Sequence, residues 1–369
     1  MTDLRVEKLA QTLVDYSVAV RKGDRVLING SILAEPVLKE LYTKVVQAGG
    51  HPLMMLSLPG TEEMFFCYAS DEQLKHVPGP VQLAMETYDV RISILADSNT
   101  KALSNVDPGK IVMQQRARTE LMRTFMRRSA AGELRWTVAP FPTNAFAQDA
   151  EMGLSEYEDF VYSACLPDMD APVEYWKKFS AYQEKIVNWL KGKITVHVTG
   201  PETDLRLSID GRSFVNCDGH YNMPDGEIFT GPVENSVEGH VYFSYPAIYR
   251  GREVTGVRLW FVQGKVVKAT ADKNEDFLRQ TLDTDEGSRF VGEFAIGTSK
   301  NITRFTREIL FDEKIGGSFH MALGAGYPET GSKNESAIHW DMICDLRDGG
   351  EIVVDNELLY QNGKFVIEF

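Results

Sequence analysis

The feature that most constrains this chain is a change of pattern near Lys191-Gly192-Lys193. Before it, short apolar runs alternate with amphipathic stretches of helical period. Residues 25–30, 52–58, 90–96 and 133–140 read as strands. Helical stripes lie between them: Leu9, Leu13, Val14 and Tyr16, closed by Lys22-Gly23-Asp24; Val37, Leu38, Leu41, Val45 and Val46, stopped at Gly49-Gly50; and a segment over 62–76. Strands separated by helices predict an α/β unit with a largely parallel sheet and helices on both faces. A long amphipathic segment, 172–190, closes this part. Beyond it the runs 194–198, 205–209, 237–243, 252–262 and 265–271 are strand-like, as are 351–354, 357–360 and 365–369. Asp210-Gly211, Gln263-Gly264 and Asn362-Gly363 mark hairpin turns. The expectation is an N-terminal α/β domain over 1–190 and a β-rich α+β domain over 191–369. A chain of 369 residues also exceeds what one hydrophobic core usually serves.

Bulk properties narrow the function. The net charge of −14 argues against nucleic acid, whose phosphates need a basic surface, but suits a cleft that gathers cations. No apolar run is long enough to span a bilayer, and Met1-Thr2-Asp3-Leu4-Arg5-Val6-Glu7 lacks the apolar core of a signal peptide. The four cysteines, Cys67, Cys165, Cys217 and Cys344, form no CxxC pair, which disfavours a thiolate zinc site or a disulfide framework. The expected compartment is the cytoplasm.

Two histidines sit in unusual company. In Ile338-His339-Trp340-Asp341-Met342, strand alternation places Ile338, Trp340 and Met342 on an apolar face and His339 with Asp341 on the other. Side chains at i and i+2 can share one ion, or two ions close together; a histidine paired with an aspartate on a wet face fits equally. In Phe319-His320-Met321-Ala322-Leu323-Gly324, His320 faces away from the apolar Phe319, Met321 and Leu323. Ala322 and Gly324 beside it leave room for close approach; alone, His320 also reads as a satisfied core histidine. Glu293 interrupts the apolar run Phe290–Ile296, and Glu227 opens a strand after Pro224-Asp225-Gly226. A buried carboxylate requires a cation, arginine or metal, or a dense shell of hydrogen bonds, because an unpaired buried charge is costly. Mixed oxygen and imidazole donors suit zinc, cobalt or manganese. Glu313 is a weaker fifth acid, since Asp312 and Lys314 beside it are also charged.

Other motifs are excluded. Residues 292–299 resemble a phosphate loop, but Thr298 stands where the lysine should be. No GxGxxG follows the first strand, no His-Glu-x-x-His helix exists, and the sequons at Asn301 and Asn334 carry no weight in a cytoplasmic chain.

Four stretches in order, Gly226-Glu227-Ile228-Phe229-Thr230-Gly231-Pro232, Gly292-Glu293-Phe294-Ala295-Ile296-Gly297, His320 to Pro328, and Ser336-Ala337-Ile338-His339-Trp340-Asp341, resemble the thermophilic-type metallo-aminopeptidases, the group of aminopeptidases T and S. The stretch Lys22-Gly23-Asp24-Arg25-Val26-Leu27-Ile28 is similar too. The resemblance implies a dinuclear site in which Glu227, Glu293, His320, His339 and Asp341 ligate two divalent cations, with Glu313 as a further acid and Tyr327 beside the metals. It further implies release of N-terminal residues from small peptides, Glu293 or Glu313 as general base, Tyr327 as oxyanion donor, and a homodimer. The segment between Tyr327-Pro328 and His339 is shorter than in the founding members, which leaves substrate preference open. A metal-dependent hydrolase of small amides or esters, and a metal-binding protein without activity, are the competing readings.

Overall fold

The structure, a computed structural model, describes residues 3–368; Met1, Thr2 and Phe369 lie outside the described residues. Four strands, β1 (Arg25–Ser31), β2 (His51–Ser57), β3 (Val90–Leu95) and β4 (Arg135–Pro140), form one sheet in the order β2-β1-β3-β4. All three pairings are parallel, as strands returned by helices must be. Val26, Ile28, Val90 and Ile92 are fully buried, and helix Glu35–Gln47 packs Val37, Leu38, Leu41 and Val45 inward. The helical reading of 62–76 divides in two, Thr61–Tyr68 and Asp71–Lys75. Ser70 caps the second: its Oγ accepts from Gln73 N at 3.3 Å while Gln73 Oε1 accepts from Ser70 N at 2.8 Å.

The remaining strands are β5 (Thr195–Gly200), β6 (Thr203–Ser208), β7 (Val215–Cys217), β8 (Glu227–Thr230), β9 (Glu238–Phe243), β10 (Ala247–Tyr249), β11 (Arg252–Val254), β12 (Val257–Val262), β13 (Lys265–Thr270), β14 (Val291–Gly297), β15 (Ser318–Gly324), β16 (His339–Asp345), β17 (Glu351–Val354), β18 (Glu357–Gln361) and β19 (Lys364–Phe365). They build an eight-stranded sheet, β13-β12-β9-β6-β5-β17-β18-β19, a five-stranded sheet, β16-β15-β14-β8-β7, and the small ribbon β10-β11. Gln263-Gly264 and Asn362-Gly363 turn hairpins as expected. Asp210-Gly211 does not, because both edges of β6 are already paired, to β5 and β9, and the chain leaves for β7 in the other sheet. The run 252–262 breaks at Thr255-Gly256, where Gly256 has φ +66° and stands against the Asp272 carboxylate. The last strand stops at Phe365, short of the expected 365–369.

By compactness, one unit runs to Tyr175 and takes in Gly219–Pro224; the other comprises Trp176–Asp218 and the chain from Asp225 onward. The long helix Pro172–Leu190 therefore goes mostly with the second unit, where Ile186 and Leu190 enter its apolar core. That core collects one face of the five-stranded sheet: Val291, Phe294, Ile296, Phe319, Met321, Leu323, Trp340, Met342 and Cys344. Each is nearly inaccessible to water. The other face carries the charges.

Candidate metal centre

Strand register brings the sequence-predicted residues together. Across β15 and β16, Ala322 stands opposite Asp341 and Gly324 opposite His339. Across β14 and β15, Glu293 pairs with Ala322 and Ala295 with His320; across β14 and β8, Gly297 pairs with Glu227. Glu227, Glu293, His320, His339 and Asp341 thus project from four adjacent strands on one face. Ala295, Ala322 and Gly324 form its floor, small enough for the longer side chains to converge above them.

Glu293 reaches this face through a bulge. Val291 pairs with Leu323, yet Glu293 pairs with Ala322 rather than Met321, so one residue, Gly292, is extra. A Cβ on Gly292 would fall 2.3 Å from Ala325 O, so only glycine fits. Were Gly292 paired as an ordinary ladder residue, alternation from Val291 would aim Glu293 into the apolar core.

The resulting geometry gathers donor atoms of the kind that can hold a metal ion. Glu293 lies between the imidazoles, Oε1 at 3.5 Å from His320 Nε2 and Oε2 at 3.2 Å from His339 Nε2. Glu227 Oε2 is 3.4 Å from His320 Nε2, and Asp341 Oδ1 is 3.4 Å from His339 Nε2. These are long for charge-assisted hydrogen bonds. Donors held about 2.1 Å from a tetrahedral cation stand about 3.4 Å from one another. Glu227 Oε2 and Asp341 Oδ1 are buried without a hydrogen-bond partner, the kind of orphaned acceptor that a cation satisfies.

The other imidazole nitrogens fix the tautomer. His320 Nδ1 donates to Glu313 O at 3.0 Å and His339 Nδ1 to Ala325 O at 2.8 Å. A carbonyl only accepts, so each Nδ1 carries a hydrogen and each Nε2 faces the site. Glu313, from the end of the short helix Ile309–Asp312, comes within ligand-sharing range of His320 and Asp341. Tyr327 leans its ring edge-on to His339, centroids 5.2 Å apart, and packs on Phe229. All six predicted acids and histidines, and Tyr327, are in one place.

Electrostatics follow from burial and crowding. Burial pushes Glu227 well above the usual carboxylate range, with Lys314 offsetting only part, and burial raises Glu313 likewise. Burial pulls His320 down, but Glu293 and Glu227 outweigh it and hold it up at about 10. Burial likewise opposes His339, which Asp341 and Glu293 push up to about 12. Burial opposes ionisation of Asp341, yet His339 holds it down at about 2. Burial, reinforced by the surrounding acids, raises the Tyr327 hydroxyl, so it stays protonated.

Three neighbours join the cluster that the sequence does not single out as part of it: Lys314, Asp225 and Cys217. Lys314 is entirely buried, with Nζ against Glu313 Oε1 and 3.7 Å from Glu227 Oε1. Asp225 is 1% exposed and, with Cys217, shares a possible ligand group with Glu227. The available signal was the run Asp312-Glu313-Lys314 between apolar Phe311 and Ile315-Gly316-Gly317; a charge triplet so placed is either a surface turn or a buried cluster.

Residues 2–365 match the sequence profile described as thermophilic metalloprotease, metallopeptidase family twenty-nine. Aminopeptidase T of Thermus thermophilus is 26% identical, over 97% of this chain and 95% of that protein. Aminopeptidase T of Thermus aquaticus is 28% identical over 98% of each. The solved structure of wild-type AmpT from Thermus thermophilus superposes with a TM-score of 0.86 at 25% identity, covering 98% of this chain and 99% of that one.

Proposed function

The chain belongs to the thermophilic metalloprotease family, and from that premise we infer that this metal-dependent aminopeptidase uses two divalent cations held by Glu227, Glu293, His320, His339 and Asp341. The observation that carries this reading is the seat of Glu293, which offers one oxygen towards each imidazole, as a carboxylate shared by two ions would. Charge supports the count. Five carboxylates, Asp225, Glu227, Glu293, Glu313 and Asp341, against the single ammonium of Lys314 leave four negative charges uncovered, the charge of two divalent cations.

Divalent cations of the zinc, cobalt or manganese type, once bound, acidify a water and polarise the scissile carbonyl. Glu293, with both oxygens turned to the imidazoles, acts as a ligand first. Glu313 is then the group that takes the proton from the attacking water; burial lifts its carboxyl towards the range useful to a general base. Tyr327 keeps its proton and donates it to the oxyanion as the carbonyl becomes tetrahedral. The substrate's free α-amine would bind at the cations or at a nearby acid, which confines cleavage to the first residue.

The test is to strip the protein with a chelator and refill it with zinc, cobalt or manganese. Bound ions are counted by mass spectrometry, and amino-acyl anilides are compared with N-blocked analogues. We expect two ions per chain, turnover restored by at least one cation, and no turnover of blocked substrates. Full activity with one ion per chain would sink the dinuclear reading. Blocked and free substrates cleaved equally would favour a small amide or ester hydrolase, and bound metal with no turnover a binding protein.

Two further expectations belong to this reading. The first unit leaves Leu56, Leu58, Met64, Phe65 and Tyr68 exposed, an apolar stretch that a second copy would cover in a homodimer. Among the described residues no helix is long and apolar enough to cross a membrane and no disulfide forms, which supports a cytoplasmic peptidase acting on small peptides.

A further inference from the structure

A lysine with no exposed surface is rare, and Lys314 is one. Its Nζ is bound to Glu313 Oε1 and faces Glu227 Oε1 at 3.7 Å, and Asp225 adds a third negative charge to its surroundings. The backbone holds the ammonium there. Lys314 N donates to Phe311 O at 3.0 Å, and Lys314 O accepts from Ser299 N at 3.2 Å. Glu227 is thereby divided: Oε1 turns to the lysine, and Oε2, which has no hydrogen-bond donor, turns to His320. Asp225, Glu227 and Cys217 can bring one donor atom each within 4.8 Å of one another, close enough to hold an ion of their own.

We propose that Lys314 is the resident cation of this acidic pocket: it stands in place of a third metal ion and keeps Glu227 Oε2 as the only oxygen that Glu227 offers to the catalytic pair. The proposal rests on the metal-centre reading above. Lys314 makes no contact with substrate in it; it acts through Glu313 and Glu227 and is a positioning residue. Its charge also acts against nearby divalent ions. Removing that charge therefore tightens their binding, because the lost repulsion outweighs one charge-assisted hydrogen bond to a carboxylate.

The experiment compares wild type with Lys314→Arg, Lys314→Ala and Lys314→Met, each expressed and purified with manganese present, then repeated with cobalt. Ions per chain are counted by mass spectrometry, and the rate of metal loss to a chelator is followed. Wild type and Lys314→Arg are expected to hold two ions. Lys314→Ala, with charge and bulk both gone, is expected to hold three. Lys314→Met keeps the bulk without the charge; it is expected to hold two and to lose them at least ten-fold more slowly. Lys314→Ala holding two ions, or Lys314→Met losing metal as fast as wild type, overturns the proposal. If Lys314→Ala does not fold, the Lys314→Met rate decides. Wild type without bound metal would instead remove the metal-centre reading itself.

Discussion

The two faces of the five-stranded sheet are built by opposite rules from the same strands. One presents Phe294, Phe319, Met321, Leu323, Trp340 and Met342 to the core and gains its stability from burial. The other presents Glu293, His320, His339 and Asp341 over a floor of alanine and glycine, and its unshared charges oppose folding until cations arrive. Stability and chemistry are thus separated by one residue of strand phase.

That separation can be broken or sharpened experimentally. Phe319→Ala, on the core face, is expected to cost about 3–5 kcal/mol in chemical denaturation while the folded fraction keeps its metal; a loss below about 1 kcal/mol would mean that the core face is not what holds the sheet. Glu293→Gln, on the other face, should lower kcat/KM by more than about a hundred-fold with metal supplied in excess. A variant that turned over like wild type would take Glu293, and the face it stands on, out of the chemistry. Tyr327→Phe is expected to reduce kcat by about a hundred-fold with KM and metal content unchanged; a KM effect alone would make Tyr327 a binding group. Removing metal from wild type should lower the melting temperature. A free cation at a hundred times its Kd contributes about 2.7 kcal/mol, and equal melting with and without metal would contradict the unshared-charge description.

The smallest effect is on protons. His320 and His339 are held up at about 10 and about 12 in the metal-free chain, so both are protonated at neutral pH. Binding through Nε2 must expel those protons, so metal affinity keeps rising with pH up to about 10 for His320 and about 12 for His339. Cation added in weak buffer should acidify the solution; no proton release would mean that the imidazoles are not displaced from their carboxylates.

Which side chains gather on the charged face was largely legible in the sequence, because strand alternation is a local property. His320 and His339-Trp340-Asp341 declare their side by the apolar residues flanking them. The parallel sheet of the first unit was legible for a similar reason, as apolar runs spaced by helical stripes. Lys314 was not, since a charged triplet reads as solvated unless the depth of the surrounding fold is known. The allegiance of helix Pro172–Leu190 was equally hidden: its period shows which side is buried but not against which sheet. The break of 252–262 and the failed hairpin at Asp210-Gly211 depend on which strand edges are already taken.

Gly292 gives the sheet a further property, bearing on how such a site can change over time. It is an insertion of one in a repeat of two, so it works as a frame rather than as a contact. Most substitutions in the strand alter one position; a change that drew Gly292 into the ladder as an ordinary pair would exchange inside and outside for the residues on one side of it, driving Glu293 towards Met321. Descendants of this chain therefore have more freedom at the strand's other positions than at Gly292, where one altered residue can change the side of many.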